Sequence, residues 1–333
     1  MYRITFLIFF IGLAFLSSCK KDIPEIENSG QVRVFANSID TSHIMPWVEE
    51  LTQVHLNDEP VDNEGFPPSE GFPSDHLTRT AAVGYITNEL TRMGYNVDTL
   101  ELGGETLVAY NVVAEHKGTV YPGEVVLMGA HLDAFYGGAD DNCSAIAALL
   151  AVANATKNFS FERTIRFVAF DLEEFGSIGS TRYVEEGYAN DVVSAVVLDL
   201  IGYSSDEPGS QDDVMGVRFP NTGDFICVIG NEYSASITQK VVNFSYSSGI
   251  GKTKGVIAPD DGTYFLSGAF MRSDHGLMWF KGIPSIFFSD GANFRNPHYH
   301  KPGDLPETLN RNFLNENTKI IAASVALLAG IQP

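Results

Sequence analysis

Five short motifs each offer one metal ligand, and together they could build a hydrolytic centre for two metal ions. They are His131-Leu132-Asp133, Ala139-Asp140-Asp141-Asn142, Asp171-Leu172-Glu173-Glu174, Leu198-Asp199 and His298-Tyr299-His300. Imidazole and carboxylate donors without a thiolate suit a catalytic zinc that keeps an open position. Two such ions sharing a carboxylate polarise a substrate carbonyl and generate hydroxide at neutral pH. Each motif alone is weak, because an acidic pair is usually a solvated turn; their number and order carry the signal. On spacing alone either Asp140 or Asp141 could bridge, and His298 competes with His300 for the last ligand position.

The first four motifs stand at or just after runs that read as buried strands. Residues 125–128 lead into His131, 164–170 into Asp171, and 192–198 into Asp199. Open α/β sheets place their sites in the crevice beyond the carboxyl ends of strands, so residues scattered in sequence should converge there. Around these runs the pattern predicts helices over 46–56, 77–93 (ending at Gly94), 144–156, 177–187, 235–244 and 307–328. Further strands are predicted over 107–115 and 226–229, with loops at 57–75 and 204–223. Strands alternating with helices make the expected fold a three-layer α/β/α sandwich on a mixed, mostly parallel central sheet. Residues 41–333 are then a single catalytic domain with an N-terminal helical extension. No repeats and no Walker or Gly-x-Gly-x-x-Gly sequence are present.

The order His-x-Asp, Gly-Ala-Asp-Asp, Asp-x-Glu-Glu-x-Gly-x-x-Gly-Ser, Leu-Asp, His-x-x-x-Asp resembles the two-zinc aminopeptidase family of secreted bacterial exopeptidases. That family shares a superfamily with glutaminyl cyclases and some zinc carboxypeptidases. The likeness runs from about Leu77 to the C-terminus and includes Ser273-Asp274-His275 followed by Gly282-Ile283-Pro284 and residues 285–288. The resemblance implies two zinc ions per chain: His131 and Asp199 on one, Glu174 and His300 on the other, and Asp141 bridging. It implies Glu173 as general base and Asp133 as the carboxylate that orients His131. Tyr299 resembles a tyrosine that holds the oxyanion in some members. It favours Asp141 over Asp140, and His300 over His298, since His300 and Asp304 give the His-x-x-x-Asp spacing. The implied activity is removal of N-terminal residues from peptides. A carboxypeptidase would need a cation for the substrate's terminal carboxylate, for which Arg272 and Arg295 are candidates. A cyclase needs one zinc, and a non-catalytic binding lipoprotein on this fold would have lost ligands or the base.

The amino terminus points to export. One positive charge at Arg3 precedes an apolar run, 4–16, too short to span a bilayer as a mature helix but suited to a signal-peptide core. Leu16-Ser17-Ser18-Cys19 resembles a bacterial lipobox. The expected organisation is a signal peptide over 1–18 and a lipidated tether over 19–40. That organisation places the chain on the outer membrane of a Gram-negative bacterium through lipid on Cys19. Among 333 residues, 44% hydrophobic and 11% aromatic content is ample for a core. A net charge of −21 argues against nucleic acid, whose phosphates need a basic face, and is compatible with cationic substrate ends. Cys143 and Cys227 remain after Cys19 and could pair in an exported protein.

Overall fold

A computed structural model describes residues 29–62, 65–103, 107–214, 216–263 and 265–333. The expected signal peptide and the expected lipid site, Cys19, lie outside the described residues. The helices are α1 (Ser29–Asn37), α2 (Ile44–Leu56), α3 (Thr80–Arg92), α4 (Ala145–Thr156), α5 (Ile178–Glu185), α6 (Ala235–Ser248), α7 (His275–Phe280) and α8 (Arg311–Ala329). The strands are β1 (Leu77–Thr78), β2 (Val97–Leu102), β3 (Ala109–His116), β4 (Tyr121–His131), β5 (Ala134–Phe135), β6 (Arg163–Phe170), β7 (Val192–Leu198), β8 (Ile226–Gly230), β9 (Thr253–Ile257) and β10 (Ser285–Ser289).

Eight strands form one sheet in the order β2-β3-β6-β4-β7-β10-β8-β9, and β1 pairs with β5 in a separate ribbon. The central block β6-β4-β7-β10 is parallel, flanked by antiparallel β3 and β8. From β4 the chain moves to β6 on one side and then to β7 on the other. The strand order therefore reverses at β4, which opens a crevice at the carboxyl ends. Strands β4, β6, β7 and β10 are buried on both faces, which is why they read as continuous apolar runs. Alternate residues serve opposite layers: Val126, Met128, Val196 and Phe288 pack under α1–α4, α6 and α8, whereas Val125, Leu127, Val197 and Phe170 pack with α5 and α7 residues Tyr183 and Met278. This is the expected three-layer α/β/α sandwich. Helix α4 is apolar on nearly every side because it lies between the sheet and the outer helices.

Three expectations change. The helix expected from residue 77 begins at Thr80, because Leu77 and Thr78 pair with β5 as β1. The tether predicted to reach residue 40 ends earlier, because Ser29–Asn37 fold as α1 and bury Val32, Phe35 and Ala36 beside α8. Those three stand at i, i+3 and i+4, a helical stripe in a segment whose remaining residues are polar or glycine apart from exposed Val34. The closing helix starts at Arg311 rather than 307. Asn310 caps it by accepting from the amides of Asn312 and Phe313, after a 3₁₀ turn at Pro306–Thr308.

Candidate metal centre and active site

Three of the five donors sit where a parallel strand ends. His131 is the last residue of β4, Asp199 follows β7, and the Glu173-Glu174 turn follows β6. Asp141 lies in the kinked turn Ala139–Ser144 that leads into α4, and its own backbone there is not helical (φ −108°, ψ 81°). Two triads result: His131, Asp141 and Asp199, and Asp141, Glu174 and His300. His131 Nε2 lies 3.2 Å from Oδ1 of both Asp141 and Asp199. His300 Nε2 lies 3.2 Å from Asp141 Oδ2 and 3.1 Å from Glu174 Oε2. Asp141 thus offers one oxygen to each triad. His298 and Asp140 belong to neither. Asp140 instead faces away and accepts from the Gly202 amide (2.9 Å) and from Asn296 Nδ2 (2.7 Å).

The donor chemistry fits metal cations. His131 Nδ1 donates to the Asp133 carbonyl at 3.0 Å, and His300 Nδ1 donates to the Gly71 carbonyl at 2.8 Å. A carbonyl can only accept, so both rings carry a proton on Nδ1 and leave Nε2 facing the carboxylate oxygens. Carboxylates crowded at this distance call for positive charge at Nε2, from a second ring proton or from a metal cation in its place. Asp141 Oδ2, Glu174 Oε1 and His300 Nε2 are buried and lack any hydrogen-bond partner. Burial would lower the two imidazoles, yet Asp199 holds His131 well above its ordinary value. Glu174, with Asp141, likewise takes His300 up to about 11. The same cluster pushes Glu174 up to about 7, through burial and the Asp141 charge.

Other polar groups hold the ligand loops rather than the metal. The Asp133 carboxylate accepts from the amides of Glu173 (3.0 Å) and Glu174 (3.1 Å). It stands 3.6 Å from His131 Nδ1, so the shorter contact to that ring is made by the Asp133 carbonyl. Asp304 accepts from the amides of Asp140 and Asp141 at 2.9 and 3.1 Å, which gives the His-x-x-x-Asp spacing its meaning. Asn142 accepts from the Leu200 amide and donates to the Leu198 carbonyl, clamping the backbone on both sides of Asp199. Buried Asp171 pairs with Arg79 and accepts from the Tyr110 amide. Asn111 holds the Asp171 amide and the Gly179 carbonyl, so the turn bearing Glu173 is fixed at both ends.

Glu173 is half-buried at the crevice, with Ser177 Oγ 3.3 Å from its Oε1. Burial, joined by the Asp199, Glu174 and Asp274 charges and opposed by His131, raises its carboxyl well above the usual range. Tyr299 stacks on His300 with ring centroids 3.7 Å apart. Its hydroxyl accepts from Arg272 Nη2 at 3.1 Å, and burial next to Glu174 and Asp141 keeps the phenol protonated. Beside Asp199 and Tyr299 opens an apolar pocket lined by Val214, Phe219, Ile229, Phe270, Phe287 and Phe294. Val214 and Phe219 come from the segment 204–223, which is a pocket wall rather than only a surface loop. Arg272 is exposed at this pocket. Arg295 is buried elsewhere, donating to Gln211 Oε1 and the Phe225 carbonyl with its guanidinium 4.5 Å over the Phe225 ring. Cys143 and Cys227 are both buried and free, which removes the disulfide expectation.

Fold and donor set together define the class: an α/β/α metallopeptidase with its site at the carboxyl ends of a parallel strand block. The profile described as Peptidase family M28 matches residues 111–325, and the chain belongs to that family. An uncharacterized Escherichia coli protein, YfbL, is 28% identical over 290 residues, covering 80% of this chain and 87% of its own length. Leucine aminopeptidase 2 of Trichophyton rubrum is 26% identical over 244 residues, or 67% of this chain, but the match spans only 45% of that protein. Among solved structures the Legionella pneumophila LapA aminopeptidase is similar with a TM-score of 0.66 at 18% identity, covering 93% of this chain and 78% of that one.

Proposed function

We propose that this chain is a two-zinc aminopeptidase that releases apolar residues from the free N-termini of peptides. The observation that carries the reading is the pair of donor triads meeting on the two oxygens of Asp141. Zinc bound there would supply Lewis acidity and an activated water. His131, Asp141 and Asp199 would hold one ion, and Asp141, Glu174 and His300 the other. Glu173 stands beside Glu174 and belongs to neither triad, and its raised proton affinity suits taking a proton from that water and returning it to the leaving amine. Tyr299, a protonated phenol beside His300, can donate to the developing oxyanion. The side chain of the N-terminal residue fits the apolar pocket next to Asp199. The leucine aminopeptidase relatives support this substrate class.

A carboxypeptidase reading has one observation in its favour: Arg272 is exposed at the pocket and donates to Asn293 Oδ1 and Tyr299. Arg295, committed to Gln211 and Phe225, does not serve it. The acid-rich centre favours a free amine over a free carboxylate in the same place. Hydrolysis of aminoacyl-anilides, N-acetyl dipeptides and C-blocked dipeptides decides between the two. The expected result is cleavage only when the amine is free, with leucine or phenylalanine first. Faster cleavage of N-blocked dipeptides, with Arg272→Ala raising their KM selectively, would make the enzyme a carboxypeptidase. Elemental analysis is expected to give two zinc ions per chain; a single tight ion with no gain on added zinc would favour the cyclase reading.

The proposal extends to the location. The apolar run 4–16 and the Leu-Ser-Ser-Cys sequence support a lipid anchor on Cys19. Among the described residues no helix is long and apolar enough to cross a membrane. Unchanged membrane retention and mass in Cys19→Ser would refute the anchor.

A further inference from the structure

The two metal triads are completed from different parts of the chain. His131 takes the carbonyl that fixes its ring from Asp133, two residues away and inside the family match. His300 takes its carbonyl from Gly71, which lies outside the matched residues 111–325 and is separated from His300 by 229 positions. Gly71 sits at the tip of a small hairpin, closed by Ser69 and Phe72 exchanging amide-to-carbonyl bonds of 2.9 and 3.0 Å, with φ of +77°. The hairpin belongs to a strap, residues 65–76, that aromatic contacts tie to the site. Phe72 packs edge-on to Phe135 (5.5 Å) and tilted against Phe175 (5.8 Å). Phe66 stacks on Phe175 at 4.5 Å, and Ser74 Oγ donates to the Phe66 carbonyl. Phe175 directly follows Glu174, and Phe135 lies edge-on to the His300 ring at 4.7 Å. The strap therefore touches the surroundings of both Glu174 and His300.

We propose that this N-terminal strap is a positioning element for one metal only, the ion held by Asp141, Glu174 and His300. The Gly71 carbonyl selects the His300 tautomer whose Nε2 faces Asp141 and Glu174. Phe66 and Phe72 hold that carbonyl in place. The inference rests on the two-metal reading above. Partners that orient a metal-bound histidine typically change metal affinity about 10–100-fold when removed.

The test uses the full chain and zinc alone, competed against a chromophoric chelator, with metal content measured in parallel. His300→Ala identifies the ion of the second triad. Phe72→Ala and Phe66→Ala are each expected to weaken that ion about 10–100-fold and to leave the other within about twofold. Phe72→Leu, which keeps an apolar anchor, is expected to restore most of the affinity. Turnover of Phe72→Ala should recover with excess zinc, which a general loss of structure would not allow. A nitrogen-15 spectrum of the histidine rings in zinc-loaded protein should show His300 protonated on Nδ1 with Nε2 metal-bound in the parent, and a weakened metal-bound signal for that ring in Phe72→Ala. Unchanged zinc affinities in the Phe66→Ala, Phe72→Ala double variant would overturn the proposal, as would equal weakening of both ions. If His300→Ala itself loses no ion, the two-metal reading fails and the strap's role with it.

Discussion

Replacing Asp133 by asparagine tests whether this carboxylate acts on the Glu173-Glu174 turn, as its geometry indicates. Its two oxygens accept the amides of Glu173 and Glu174 at 3.0 and 3.1 Å, and the residue is fully buried. Asparagine keeps one acceptor oxygen and turns an NH2 group toward the other amide. A hydrogen bond to a charged acceptor contributes about 1.5–3 kcal/mol, and a buried amide left without an acceptor costs about 1–3 kcal/mol. With one bond lost and the other weakened, the net destabilisation should be about 2–4 kcal/mol. For a domain of roughly 300 residues the unfolding entropy is about 0.6 kcal/mol per kelvin, so Tm should fall about 3–7 °C. The effect on turnover should be larger. The turn carries both the proposed base and a proposed ligand, and a 1 Å displacement of a reacting group can cost about 10²-fold. Differential scanning calorimetry and kcat/KM on a leucyl-anilide measure the two effects on one preparation. Asp133→Asn with kcat/KM within about threefold of the parent and an unchanged Tm would refute the argument, because the amides would then have needed no carboxylate.

Three further outcomes follow from particular contacts. Glu173→Gln should lower kcat by about 10²–10⁴-fold while zinc content stays unchanged, since Glu173 belongs to neither triad; loss of zinc in this variant, and not in Glu174→Gln, would reverse the pair. Phe35→Ala should destabilise by about 3–5 kcal/mol in denaturant titration, because the ring is fully buried between Phe159 and Phe161; a change below 1 kcal/mol would return α1 to the status of a tether. His55, buried against Thr78 Oγ1, has its imidazole pushed down to about 4 by burial, with the Asp133 and Asp58 charges opposing. As pH falls the unfolded chain binds this proton first, so the His55 contribution is whole above about pH 6.5 and lost progressively toward pH 4, amounting to about 3 kcal/mol. His55→Gln should flatten that part of the stability profile, and an unaltered slope would remove His55 as its source.

The proposed ligands were legible in the sequence for a definite reason. His131 and Asp199 each stand at the end of a run of apolar residues that buries on both faces, where a polar residue is directed to the crevice, and Glu174 follows a third such run by a short turn. The edge strands β2 and β9 gave no comparable signal, because they are half exposed and carry Asp98, Glu101 and Lys254 among their apolar residues. The segment 204–223 reads as a loop from Pro208, Gly209 and its acids, yet Gln211 and Val214 are buried against β8 and β10 residues to wall the pocket. Gly71 was illegible for another reason. It acts through a main-chain carbonyl, which leaves no mark on residue type.

Residue type also fails to separate the acids that face the metals from those that hold the loops. Asp140 and Asp141 are neighbours of identical chemistry, and only backbone direction decides that one accepts from Gly202 and Asn296 while the other joins both triads. The need for so many loop-holding groups has a physical source. Leu172, Leu200 and His300 all adopt left-handed backbone, with φ of 56°, 51° and 55°, and each is at or beside a proposed catalytic or ligand residue. Such conformations in residues other than glycine cost about 1–3 kcal/mol each and persist only when the surroundings determine them. Here the determining groups can be named: Asp133 on the amides after Leu172, Asn142 on the Leu200 amide, and the Gly71 carbonyl on the His300 ring. Three sharp turns bring the donors out of the sheet and into register with one another, and a polar atom from a distant segment holds each turn. The polar residues around the triads are therefore the means by which an apolar sheet presents its carboxylates and imidazoles at 3.1–3.2 Å from one another.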